Sequence, residues 1–164
     1  MKGVSQKTIP DVSIVAKNFE GYDYFDCYEI TSPHNETVDT ALNKIFQPPN
    51  WIKRLLKFRD YLAVKINLRA TTSNTNSKEH CEIGSKAIVF KVIDRNINEI
   101  VMEEKDSHLD FRTSVLIKPE GDIQNIYFIS LVKYNNFMGK LYFFAIKPFH
   151  KMIVKRLLQN CLKK

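Results

Sequence analysis

Four closely spaced β-type segments lie between residues 87 and 134, and they constrain the fold more than any other feature. The segments are 87–93, 99–105, 109–118 and 123–134. Turn-forming residues separate them at 94–98, 106–107 and 119–122. Connections this short join neighbouring antiparallel strands, whereas parallel strands need long crossovers. The sequence therefore predicts an antiparallel strand meander over residues 87–134.

Residues 137–162 change to a helical period and predict the longest element of the fold. One stripe of this helix contains Phe143, Ile146, His150, Val154, Leu157 and Cys161. Pro148 lies inside it and predicts a kink or a break and restart, because proline removes one helix hydrogen bond. An antiparallel sheet with one apolar face needs a cover, and only this helix is long enough to provide it.

The first half of the chain adds a strand and two helices. The aromatic-rich stretch 22–30 reads as a strand, although its acidic residues break strict alternation. Residues 35–68 predict a pair of amphipathic helices joined at Pro48 and Pro49, with Trp51 in the second. The polar stretch 70–80 predicts a loop, and residues 1–20 an N-terminal extension. We expect one α+β domain over 1–164.

Glycine and cysteine usage excludes several classes of protein. None of the five glycines falls into a phosphate-binding loop. Cys27, Cys81 and Cys161 lie far apart and show no metal-ligand spacing, so we expect no metal site, no cofactor and no disulfide scaffold. The first residues lack a signal-peptide pattern, and no segment is apolar enough to span a bilayer. We expect a cytoplasmic protein.

The positive charge is concentrated at one end of the chain. The net charge is +7, and residues 140–164 contain no acidic residue. Lys147, Lys151 and Lys155 fall four apart and form a stripe on the predicted helix. A solvated helix face explains this stripe most simply, and peripheral contact with an acidic protein or an anionic membrane is the alternative. Nucleic acid is not an expected partner, because no aromatic strand surface accompanies the lysines.

The order strand, helix, helix, meander, long helix resembles the helix-grip, or START-like, fold of lipid-transfer domains and polyketide cyclases. That resemblance implies a curved antiparallel sheet wrapped around the C-terminal helix, with space for a ligand between them. The segments 48–62 (PPNWIKRLLKFRDYL), 106–117 (DSHLDFRTSVLI) and 134–158 (YNNFMGKLYFFAIKPFHKMIVKRLL) are similar to a bacterial family called domain of unknown function 2867. The resemblance extends from residue 22 to the C-terminus and implies no particular activity.

A charged row on the third segment of the meander is the first candidate site. His108, Asp110 and Arg112 alternate with apolar residues, so they project to one face of a strand. The apolar residues form the natural core face, which favours a solvent-exposed polar row. A sheet curved enough to turn this row into a cavity would instead make it an anion site or a proton relay.

His150 is the second candidate, because it interrupts the apolar stripe of the C-terminal helix. A buried imidazole needs a hydrogen-bond partner, and we expect Asp110 or Arg112 to supply it. Asn135 or Asn136 is expected to cap the helix, and Gly139 to let it approach the sheet closely. The predicted ligand-binding residues are His108, Asp110, Arg112, Asn136, Tyr142, His150 and Trp51.

These residues leave three functions open. The first is binding of a small, largely apolar ligand with a polar or anionic end in a cavity between sheet and helix. The second is a cyclase-, isomerase- or hydrolase-like enzyme that uses His150 as a base, with Asp110 or Arg112 orienting it. The third is a basic docking module. No nucleophile beside a base is visible in the sequence, so catalysis has no independent support.

Overall fold

Seven strands form one antiparallel sheet in a computed structural model that describes residues 3–33, 35–47, 50, 81–87 and 90–162. The strands are β1 (Ser5–Gln6), β2 (Tyr24–Ser32), β3 (Lys86–Ala87), β4 (Phe90–Arg95), β5 (Glu99–Lys105), β6 (Leu109–Glu120) and β7 (Ile123–Tyr134). Their order across the sheet is β1-β2-β7-β6-β5-β4-β3. The helices are α1 (Val38–Ile45), α2 (Phe137–Leu158) and a 3₁₀ turn at Gln159–Leu162.

The predicted α+β architecture is confirmed. A meander runs through β4, β5, β6 and β7, α1 follows β2, and the long α2 lies at the C-terminal end. The predicted strand at 87–93 is replaced by two short strands that pair at Ala87 and Phe90. Strand β2 pairs along its length with β7. Most of the predicted second helix, including Trp51, and the predicted loop at 70–80 lie outside the described residues.

One face of the sheet packs against α1 and α2. Alternate residues of each strand point to this helix-facing side, such as Tyr28 and Ile30 on β2 and Val115 on β6. They pack against apolar side chains of α1, including Leu42, and of the last turns of α2, including Val154. A β-bulge in β4 accompanies the curvature of the sheet. This face contains the main core and positions α2 over β2 and β7.

The second face of the sheet is also covered, which the sequence did not predict. Val15 and Phe19, in the N-terminal segment 9–22, pack against Cys27 and Ile129 to form a second apolar cluster. The fully buried carboxylate of Glu99 holds this segment in place, because it accepts one hydrogen bond from a side-chain hydroxyl of the segment and one from a backbone amide of the segment. The stretch predicted as an N-terminal extension is therefore a structural layer of the domain.

Helix α2 begins as predicted and runs without interruption through its proline. The side chain of Asn136 caps it by accepting a hydrogen bond from the Gly139 amide at 2.9 Å. A Cβ atom on Gly139 would overlap the backbone carbonyl of His108, so glycine permits the close approach. The alternative of a break at Pro148 is wrong, because the helix continues to Leu158.

Candidate functional site

A histidine from α2 and an aspartate from β2 meet between the helix and the sheet. His150 Nε2 lies 3.2 Å from Asp26 Oδ2. The Asp26 side chain is completely buried, and the His150 side chain is 14% exposed. Strand alternation places Asp26 on the helix-facing side of β2, in the same row as Tyr24 and Tyr28. The imidazole that interrupts the apolar stripe of α2 thus has a buried acidic partner.

Polar groups of neighbouring residues surround this pair on the helix-facing side of the sheet. The Tyr24 hydroxyl donates a hydrogen bond of 2.8 Å to Asp26 Oδ2. Ser130 on β7 is the direct cross-strand neighbour of Asp26, and Tyr28 lies two residues further along β2. Among the described residues, Asp26 Oδ1 and the hydroxyls of Tyr28 and Ser130 are buried and make no well-aligned hydrogen bond. Unsatisfied buried polar groups are rare, and their clustering indicates a place for water or a ligand.

The electrostatics of the cluster keep Asp26 ionised. Burial alone would raise the pKa of Asp26, but its contact with the His150 imidazole, followed by the hydrogen bond from the Tyr24 hydroxyl, outweighs this effect, so the pKa falls below its ordinary value. Burial, then the adjacent carboxylate, raises the pKa of Tyr28 to about 12. The site therefore presents a carboxylate beside neutral hydroxyl groups.

Aromatic rings and two lysines border the pair. Phe111 on β6 meets the His150 ring edge to face at 5.7 Å, and Phe143 lies 6.1 Å from it. Lys147 Nζ lies 4.5 Å above the Tyr24 ring, and Lys155 Nζ lies 5.1 Å from the centre of the Tyr28 ring. Two members of the predicted lysine stripe therefore contact β2.

Arg112 does not meet His150, because it lies on the opposite face of the sheet. Its guanidinium donates two hydrogen bonds to Glu103 Oε1, at 2.7 and 3.0 Å, and further ones to the carbonyls of Val15 and Lys17. The side chain is 7% exposed and therefore does not face solvent. The predicted polar row is buried beneath the N-terminal segment at this position.

Asp110 follows Arg112 to the second face and likewise does not contact His150. It accepts a hydrogen bond from the side chain of Asn135 at 3.0 Å, near the start of α2. The predicted meeting of His150 with Asp110 or Arg112 is therefore corrected. Strand alternation alone explains the result, because the even-numbered residues of β6, which include Asp110 and Arg112, share the face that points away from α2.

His108, Asn136 and Tyr142 form a separate group where α2 begins. His108 lies in the turn before β6, not on the strand, and Nδ1 is 3.4 Å from Asp106 Oδ1. The Tyr142 ring meets the His108 ring edge to face at 5.5 Å. Asn136 caps α2 and donates a hydrogen bond to the Ser107 carbonyl at 3.1 Å. These contacts connect α2 to the β5–β6 turn.

Two of the surface clefts that the described residues form lie away from His150. A cleft of about 170 Å³ is bordered by Asn35, Ile97 and Gln124 near the start of α1. A second of about 340 Å³ is bordered by Lys7 and Glu29 on the other side of the molecule. Neither contains a residue that the sequence predicted for ligand binding.

Sequence reasoning missed Asp26, Tyr28 and Ser130, although one signal was present. The acidic residues of the first strand disturb its alternation, and Asp26 is the one that falls on the core face. A charged residue at a core position needs a partner from another element. Searching for that partner would have linked Asp26 to the only histidine on the helix stripe.

The described residues contain no group of three or more His, Cys, Asp or Glu side chains that could hold a metal ion. Within the same residues, no helix has both the length and the apolar character needed to cross a membrane.

The molecule is an α+β domain in which a long helix covers a curved antiparallel sheet. A histidine of this helix contacts a buried aspartate of the sheet. The chain belongs to the family described as "Protein of unknown function (DUF2867)", whose model matches residues 18–157. The structure is similar to that of CalU16 from Micromonospora echinospora, at 12% sequence identity and a TM-score of 0.39, over 96% of this chain and 90% of that chain. A comparison with curated proteins finds no match.

Proposed function

We propose that the protein binds a small, largely apolar ligand between α2 and the sheet, with the polar end of the ligand at the Asp26–His150 cluster. The supporting observation is the set of buried polar atoms without aligned partners, Asp26 Oδ1 and the hydroxyls of Tyr28 and Ser130. Leaving such groups unsatisfied costs about 1–3 kcal/mol each, so a ligand that satisfies them gains affinity.

The surroundings favour an apolar body for this ligand. Phe111 and Phe143 border His150, and apolar residues occupy the next row of the helix-facing side of the sheet, including Val115 and Phe128. Apolar walls with a few convergent polar groups are typical of small-molecule sites. The walls supply affinity, and the polar cluster fixes orientation.

The unsatisfied oxygen Oδ1 of Asp26 favours a ligand end that donates a hydrogen bond over an anionic one. Asp26 remains ionised because its pKa is lowered. A ligand hydroxyl or amide donates a hydrogen bond to Oδ1, whereas a ligand carboxylate at the same place is repelled. An anionic end is better accommodated near Lys147 and Lys155, beside the rings of Tyr24 and Tyr28.

Titration with 1-octanol and with octanoate, followed by methyl NMR, tests this proposal. We expect octanol to shift the methyl signals of Ile126 and Val115 on the helix-facing side, and to leave those of Ile129 and Leu131 on the other face unchanged. Octanoate should bind more weakly. Equal shifts on both faces, or none for either compound, would refute the proposal.

Two tyrosines provide a matched pair of variants for the same titration. Tyr28→Phe removes a hydroxyl from the cluster, whereas Tyr127→Phe removes the hydroxyl of a buried tyrosine on the opposite face. We expect Tyr28→Phe alone to lower the affinity for octanol. The decrease should be about tenfold, because the variant loses one hydrogen bond of about 1.4 kcal/mol. Equal affinities for the two variants would contradict the placement of the polar end.

Acid–base catalysis is a second candidate, and the Asp26–His150 contact favours it. A carboxylate on one imidazole nitrogen fixes the ring and leaves the other nitrogen to exchange a proton with a substrate. Asp26 thus takes the orienting role that the sequence assigned to Asp110 or Arg112. Such a pair suits cyclase-, isomerase- or hydrolase-like chemistry on a bound apolar substrate.

Hydrolysis of 4-nitrophenyl octanoate tests this candidate, because the ester combines an apolar chain with a sensitive readout. We expect His150→Gln to reduce the rate, and His108→Gln, in the turn before β6, to leave it unchanged. Equal rates for the wild type and His150→Gln would exclude hydrolysis of this ester by His150. The octanol titration would be unaffected by that outcome.

A further inference from the structure

The outward face of α2 carries several large apolar side chains in solvent. The exposed residues are Phe137 (74%), Met138 (53%), Leu141 (52%), Phe144 (78%), Phe149 (50%) and Met152 (38%). Isolated exposed apolar residues are common, but a contiguous group on one element marks an interaction surface. The proposed ligand site does not use these side chains, because it lies on the opposite side of the helix.

Helical geometry places four of these residues on one narrow strip. With 100° of rotation per residue, Phe137, Leu141, Phe144 and Met152 fall within an arc of about 80°. The buried Phe143 and Leu157 point the other way. At 1.5 Å per residue the strip is about 22 Å long. This outward strip is therefore a continuous apolar surface along most of α2.

Lysines line one edge of the outward strip. The same rotation places Lys140 and Lys151 within an arc of about 20°, next to Phe144, whereas the Lys147 amine lies above the Tyr24 ring. No acidic residue occurs from position 137 to the C-terminus. Among the described residues, none of these lysines takes part in an ion pair. The edge is thus positively charged and lacks neighbouring carboxylates from its own helix.

We propose that α2 docks on the surface of an anionic lipid bilayer. The outward strip enters the boundary between headgroups and acyl chains, and the lysines contact anionic headgroups. An apolar helix face with a lysine edge is the pattern of helices that lie in a membrane surface. A second copy of this chain fits less well, because a symmetric contact through this face would bring two lysine rows together. The proposal does not depend on the proposed ligand binding.

Co-sedimentation with vesicles tests the proposal. We expect binding to vesicles of phosphatidylcholine and phosphatidylserine in a 7:3 ratio, and much weaker binding to vesicles of phosphatidylcholine alone. Raising the salt concentration from about 0.05 M to about 0.5 M should release most of the bound protein, because screening shortens the range of the lysine charges. Absence of binding, or equal binding to both vesicle types, would overturn the proposal.

Two pairs of variants separate this surface from general basicity. Lys140→Gln with Lys151→Gln should reduce binding at least about tenfold, since each surface lysine contributes about fivefold. Lys86→Gln with Lys91→Gln removes the same charge from the edge of the sheet and should leave binding nearly unchanged. Equal losses in the two double variants would show nonspecific attraction and overturn the proposal.

The apolar part of the surface needs its own control. Phe144→Ser removes the most exposed side chain of the outward strip, and Phe25→Ser removes an exposed phenylalanine of β2. We expect a loss of vesicle binding for Phe144→Ser only. A concentration-dependent dimer that Phe144→Ser abolishes, with no vesicle binding by the wild type, would assign the face to a second copy and refute the membrane proposal.

Discussion

Replacing Arg112 by methionine should detach the N-terminal segment from the sheet. The guanidinium is almost completely buried and donates hydrogen bonds both to Glu103 and to the carbonyls of Val15 and Lys17. It also lies 4.3 Å from the centre of the Phe19 ring. Methionine keeps much of the side-chain volume but leaves the carboxylate and both carbonyls without this donor.

The structure sets the size of the effect. Removing one partner of a buried ion pair costs about 3–5 kcal/mol. Lys105 Nζ remains 3.4 Å from Glu103 Oε2, so the carboxylate keeps one cation and the lower end of that range applies. We therefore expect a loss of about 3 kcal/mol in the free energy of unfolding, which corresponds to a fall of roughly 1.5 M in the urea midpoint at a typical slope of about 2 kcal/mol per molar.

Urea denaturation followed by circular dichroism measures this loss, and hydrogen exchange locates it. The amides of Val15 and Lys17 should exchange much faster in the variant, because the segment that contains them loses its anchor. Adding Glu103→Gln should recover part of the stability, since it removes the unpaired charge. Exposed Arg156 provides the control Arg156→Met, and an equal loss in the two single variants would refute the reasoning.

Three further predictions concern α2 and the Asp26 site. Gly139→Ala should destabilise the protein by about 3 kcal/mol in urea denaturation, because the new Cβ overlaps the backbone carbonyl of His108. A loss of less than about 1 kcal/mol would contradict that contact. Asn136→Ala should cost about 1 kcal/mol through loss of the helix cap, with Asn136→Asp retaining most of the stability. The pKa of Asp26 in the folded protein is lowered. The ionised carboxylate therefore stabilises the fold at pH values above the pKa of Asp26 in the unfolded chain, near 3.8. That stability is lost as the pH falls through the lower pKa of the folded protein. Asp26→Asn should therefore flatten the acid limb of a melting-temperature profile between about pH 5 and about pH 1, and identical profiles over that range would exclude this role.

Local periodicity determined much of the fold. The bounds predicted for β5 and β7 agree with the structure, and α2 begins at residue 137 as expected. These features depend on alternation, turn residues and a capping asparagine, all of which are read from neighbouring positions. Alternation also assigned Asp110 and Arg112 correctly to one face of a strand.

Tertiary structure decided what covers each face and which side chains meet. Alternation distinguishes the two faces of a strand. It does not predict that residues 9–22 cover the face on which Arg112 lies. The pairing of β2 with β7 places Asp26 beneath His150, and no local pattern specifies a contact between residues so distant in sequence. The sequence by itself identified an imidazole that needed a buried partner, because an apolar stripe cannot solvate it. Only the packing of α2 on the sheet supplied that partner, since it brings together groups from opposite ends of the chain.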